Sequence, residues 1–201
     1  MSTVHASTVP ATEAPFFGAE WRKLMMWLFL VTDALLFAGF LGGYAFARLA
    51  SDTPWPDREA IFSLNFITAM TFLLITSSTT MASAVLAARN RDFAKAKLLL
   101  LVTALMGVGF LGMQAYEWTH FIHAGARLDG NPWGVPAFSA YFFLITGFHG
   151  THVLIGALVL FLTAVRSMKR DNAGEMVEVA GLYWHFVDLV WVFVFGCFYL
   201  V

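Results

Sequence analysis

The sequence predicts an all-α integral membrane bundle of five transmembrane helices. Three observations carry this. Apolar residues make up 59% of the 201-residue chain and charged residues 12%, against about 25% charged in a soluble domain. The mean hydropathy is +0.72. Five apolar segments each approach or exceed the roughly 20 residues that cross a bilayer as helix. They lack the alternation of a barrel strand, and an isolated segment in lipid must satisfy its own backbone, which a helix does.

The segments follow in order. Residues 1–20 are Ser-, Thr- and Ala-rich, with no Lys or Arg. A secretory signal needs a basic start followed by an apolar stretch, so this segment is expected to be a disordered cytoplasmic tail in which His5 has no role. Residues 21–201 are expected to form a single transmembrane domain. Its first helix, about 24–49, stops at Ser51-Asp52-Thr53-Pro54, and the second, about 61–88, stops at the charged Arg89-Asn90-Arg91-Asp92. The third covers about 97–121. Turn signals from Asp129 to Gly134 precede the fourth, about 135–165, and a polar loop from Arg166 to Glu175 precedes the fifth, about 176–201.

Charge sets an orientation. Arg22, Lys23, Arg89, Arg91, Lys95, Lys97, Arg166, Lys169 and Arg170 fall on one side of the predicted spans, and Arg48, Arg58 and Arg127 on the other. Cytoplasmic loops carry the excess of Lys and Arg, so the N-terminus is expected in the cytoplasm and the C-terminus in the periplasm. Trp55 and Trp133 then lie at the outer interface and Trp21 and Trp27 at the inner one, as an aromatic belt requires. A net charge of −1 offers no basic field for nucleic acid. The lone Cys197 makes no internal disulfide and no cysteine-based metal cluster. Five helices do not divide into the inverted halves of a secondary transporter.

Ionisable side chains inside hydrocarbon are costly and ask for a reason. Asp33, Glu117, His120, His149, His152, His185 and Asp188 fall within the spans. His149 and His152 share one helix face, and so do His185 and Asp188. At about 1.5 Å per residue, Asp33, His185 and Asp188 lie roughly 12–18 Å from the inner edge and His152 roughly 20 Å. Asp33, His149, His152, His185 and Asp188 are therefore read as one buried polar layer. Polar fastening between helices, a proton-conducting or buffering site, and metal or haem ligation all remain open for it. The metal reading meets an obstacle at Glu117-Trp118-Thr119-His120. A di-iron bundle needs a second Glu-x-x-His and two further Glu, and no other Glu lies in the interior of a span, Glu178 standing at the edge of the fifth. Glu117 and His120 are expected to form a polar pair near the outer interface. Gly39 and Gly43, and the small residues around 107–112, are expected at close helix contacts. Trp27, Trp184 and Trp191 are expected to contact lipid or a partner subunit.

Four motifs then bear a resemblance. Gly147-Phe148-His149-Gly150-Thr151-His152-Val153 looks like the signature of subunit III of the haem–copper respiratory oxidases. Tyr183-Trp184-His185-Phe186-Val187-Asp188-Leu189-Val190-Trp191 matches the last-helix motif of that family. Gln114-Ala115-Tyr116-Glu117-Trp118 is similar to its Gln-x-x-Glu pattern. Trp27 to Asp33, with Leu36, Phe37 and Tyr44, matches the helix that bears its intramembrane carboxylate. The order is right, and the resemblance covers about Trp21 to the C-terminus. The mitochondrial type has seven helices and a Glu at that carboxylate; this chain resembles the five-helix bacterial form and carries Asp33.

The resemblance implies a subunit with no haem, copper or catalytic residue of its own, those cofactors lying on partner subunits. It implies packing against oxidase subunits I and II, bound phospholipid, and support of proton uptake. The complex would sit in a bacterial inner membrane and reduce oxygen to water while moving protons. The site choosing cytochrome c or quinol as electron donor would lie on other subunits. A subunit-III-like protein of nitric oxide reductases shares these motifs. On the residues alone, a proton-coupled transporter and a di-iron membrane enzyme also stay open.

Overall fold

A computed structural model describes residues 21–57, 61–167 and 172–200. The expected tail, 1–20, lies outside the described residues, as do Arg58, Lys169 and Arg170 of the charge argument. The described residues form five long helices and no strand: α1 (Trp21–Leu49), α2 (Leu64–Arg89), α3 (Phe93–His123), α4 (Pro136–Leu162) and α5 (Ala173–Phe195). Each is long and apolar enough to cross a membrane. Wider π-helical turns extend α4 through Thr163–Ser167 and α5 through Gly196–Leu200.

Local chemistry sets the boundaries. Arg91 takes a left-handed φ of 60°, and the amides of Arg91 and Asp92 return to the carbonyls of Ala88 and Ala87. This closes α2 by satisfying its last carbonyls. The Asp92 side chain then accepts from Lys95 N at 3.1 Å and caps α3. That cap explains why α3 starts at Phe93 and takes in Lys95 and Lys97, ahead of the expected 97. Pro136 opens α4, where its missing N–H costs nothing. Ahead of it, Asn131 Oδ1 accepts from the amides of Trp133 and Val135, at 3.1 and 3.3 Å.

The short loops make neighbours antiparallel. α2 packs on α3, α3 on α4, α4 on α5 and α5 back on α2, while α1 packs on α4 and α5. Three ion pairs tie the beginnings of α1 and α5 to the end of α2: Arg22 to Glu175 (3.3 Å), Lys23 to Glu178 (2.7 Å) and Arg89 to Glu178 (2.6 Å). The interior is heavily aromatic. Trp184, Trp191, Phe110, Phe138, Phe142 and Phe198 are fully buried. The outer faces remain apolar, as Leu35, Phe46, Leu105 and Phe193 show, which fits contact with lipid.

Candidate functional site: a divided set of polar side chains inside the bundle

Asp33 on α1 and His152 on α4 meet at 3.3 Å, Oδ2 to Nε2, and both are buried. His152 Nδ1 lies 2.9 Å from the Phe148 carbonyl, one turn earlier on the same helix. A carbonyl only accepts, so Nδ1 must carry a hydrogen. Nε2 then faces Asp33 Oδ2 at ion-pair distance, without the geometry of a hydrogen bond. A carboxyl and an imidazole side by side can be neutral together, as acid with imidazole or carboxylate with imidazolium, and that makes two ionisable groups tolerable in hydrocarbon. Phe37 and Phe148 pack their rings edge-on to His152, and Tyr183 donates to the His152 carbonyl at 3.1 Å.

His152 of this pair borders a cleft of about 440 Å³ between α1, α4 and α5. Its walls include Met26, Phe29, Val159 and Tyr183. Arg22 lines it too, at the start of α1 where the ion pairs gather.

The other members of the expected layer sit apart from this pair. His149 is fully buried, and its Nε2 donates to the Val187 carbonyl on α5 at 3.1 Å. It packs between Phe110 and Trp191. His185 reaches α2 instead, with Nδ1 at 2.6 Å from Ser78 Oγ. It is half-buried and lines an apolar groove with Trp27 and Leu189. Asp188 is buried, and neither carboxyl oxygen has a hydrogen-bond partner among the described residues. Beyond the Asp33–His152 pair, His149 and His185 take different partners, the Val187 carbonyl on α5 and Ser78 on α2.

Two expectations change. Trp184 and Trp191 are 0% exposed, so neither faces lipid nor a partner subunit. Each donates its indole N–H to α2: Trp184 to Ser77 Oγ at 2.9 Å and Trp191 to Thr71 Oγ1 at 3.0 Å. Buried indoles need such a partner. Trp27 is 55% exposed on the lipid side of α1. Glu117 is buried, and its hydrogen bonds come from Tyr199 and Gln114 rather than His120. His120 is exposed, its ring against Tyr116. The hydroxyl partners on α2 were missed in the sequence reading, although the run Thr76-Ser77-Ser78-Thr79-Thr80 in the middle of a span is a visible sign of them. Tyr199 was missed as well. The closing π-helical turn of α5 carries it inward.

Among the described residues no three His, Cys, Asp or Glu come together as a metal site. The family described as cytochrome c oxidase subunit III matches residues 12–201. The chain belongs to that family. It is 37% identical to cytochrome c oxidase subunit 3 of Bacillus sp. (strain PS3), over 98% of this chain and 94% of the relative. It is 34% identical to cytochrome c oxidase subunit 3 of Bacillus subtilis, over 98% and 94%. It is also 34% identical to quinol oxidase subunit 3 of Bacillus spizizenii, over 89% and 86%. Members of this family are thus named for oxidases of both donor types. The Asp33–His152 pair links the helix with the intramembrane carboxylate to the helix with the His-Gly-Thr-His motif.

Proposed function

We propose that this chain is the non-catalytic subunit III of a haem–copper respiratory oxidase in a bacterial inner membrane, with its N-terminus in the cytoplasm. Haem and copper lie on subunits I and II, and oxygen is reduced to water there. This chain packs beside subunit I, holds phospholipid and sustains proton uptake during turnover. Family membership and five apolar helices support the assignment to the complex. The clustering of Arg22, Arg89 and Lys23 at one end supports the orientation.

The single observation carrying the proton role is the Asp33–His152 contact. It sets side by side two groups that both exist in charged and neutral forms and can exchange a proton. Its His152 borders a cleft that Arg22 also lines. The apolar walls of that cleft suit an acyl chain, and Arg22 suits a lipid phosphate. His149, His185 and Asp188 fasten helices first, and any part they take in proton supply is secondary.

The test is the assembled oxidase with Asp33→Ala, assayed for proton pumping and for activity over many turnovers. The proposal expects normal initial activity, lower pumping and faster loss of activity. Unchanged pumping and lifetime would refute it.

A further inference from the structure

A second polar centre lies on the α2–α3 side of the bundle, away from the cleft between α1, α4 and α5. Glu117 is 6% exposed and stands near the end of α3. Both of its carboxyl oxygens accept from neutral donors: Tyr199 Oη at 2.9 Å on Oε1, and Gln114 Nε2 at 3.1 Å on Oε2. Two donors on two oxygens serve the ionised form of this carboxylate. None of the ion pairs among the described residues reaches Glu117. In its ionised form the group therefore has hydrogen bonds but no counter-charge, an incomplete arrangement.

What completes it is indicated by the space beside it. Glu117 lines a cavity of about 200 Å³ between the start of α2 and the end of α3. The remaining walls are rich in aromatic rings, from Phe62, Phe66, Tyr116 and Phe121, with Ser63 and His120 as their polar members. A carboxylate and aromatic rings together suit an ammonium group: its charge pairs with the carboxylate, and ring faces attract its positive surface. A divalent metal ion would want several oxygen ligands, and only one carboxylate lines the cavity. An anion would be repelled.

We infer that this cavity binds a small organic ammonium cation, with Glu117 as its counter-ion. The source is a soluble amine or the amine of a lipid headgroup, and both carry the same chemistry. This site shares no residue with the Asp33–His152 cleft and does not rest on the proton role proposed for it.

The oxidase complex containing this chain is placed in nanodiscs of phosphatidylglycerol alone. Choline and ethanolamine are titrated separately and followed by saturation-transfer NMR. In a second arm the nanodiscs contain phosphatidylethanolamine, and retained lipid is counted by native mass spectrometry. Binding in the first arm alone identifies a soluble amine, and retention in the second alone identifies the headgroup. Glu117→Gln is expected to weaken binding by about ten-fold, because it removes the charge and keeps the shape. Tyr116→Leu, which removes an exposed ring at the cavity and spares the buried hydrogen bonds, is expected to weaken it by about three-fold. The inference is overturned by wild-type complex that binds no ammonium probe in either arm. It is equally overturned by Glu117→Gln binding as wild type does. Should Glu117→Gln fail to assemble, Tyr116→Leu decides alone, and undiminished binding by it overturns the inference.

Discussion

Gly107→Ala tests how Trp184 is held. Gly107 is buried on α3, and a Cβ there would overlap Trp184 Cη2 and lie 3.2 Å from Cζ2. The indole has little room to retreat. Gly156 of α4 also stands close to it, since a Cβ there would sit 2.9 Å from Trp184 Cε3. Its N–H is tied to Ser77 at 2.9 Å. Overpacking of a confined site costs about 1–3 kcal/mol, and losing the Ser77 hydrogen bond as the ring shifts costs about 1 kcal/mol. Alanine regains about 1 kcal/mol of helix propensity. With the site confined by both helices, the net loss comes to about 2 kcal/mol. Gly112 on the same helix is the control, because a Cβ there meets nothing within 4 Å; Gly112→Ala keeps only the propensity gain. The assay is SDS-driven unfolding of the purified chain in mixed micelles, followed by far-UV circular dichroism. A double-mutant cycle adds Trp184→Leu, which frees the space, and the two changes are expected to couple by more than about 1 kcal/mol. A Gly107→Ala protein as stable as the Gly112→Ala protein, or strictly additive costs, would refute the packing argument.

Other perturbations probe the helix ties. Glu178→Ala removes the partner of both Lys23 and Arg89. These pairs are partly exposed, so the loss is expected near 0.5–1 kcal/mol at low salt and is expected to vanish near 1 M salt, where screening acts over about 3 Å. A loss that ignores salt contradicts an electrostatic tie. Trp191→Phe removes the indole donor to Thr71, whose hydroxyl still donates to the Ile67 carbonyl at 3.0 Å. The cost is expected near 1 kcal/mol, and adding Thr71→Ala should cost little more. Equal and additive losses in the same unfolding assay would show that the two side chains act independently.

Residues 24–49 and 61–88 read as spans from apolar content alone, and the observed α1 and α2 differ from them by three residues or fewer at each end. The larger shift at the start of α3 came from one side-chain cap, Asp92 to Lys95. Asp33 and His152 were both visible as costly residues inside spans. Their contact was not, since they stand 119 positions apart and only the packing of α1 on α4 brings them together. Glu117 was visible in the same way, but its partner Tyr199 comes from the closing turn of a different helix.

The sequence by itself determined the all-α class, the five spans and the inventory of buried ionisable groups, because each follows from local hydropathy and the cost of charge in hydrocarbon. Only the tertiary structure decided which face of each helix turns inward. In lipid both faces are apolar, so the contrast that marks the core side of a soluble helix is missing. Trp27 and Trp184 carry the same side chain in similarly apolar surroundings. One is 55% exposed and the other 0%. What separates them is the partner across the interface: Ser77 stands ready for the Trp184 indole, and that pairing exists only once α2 and α5 have packed.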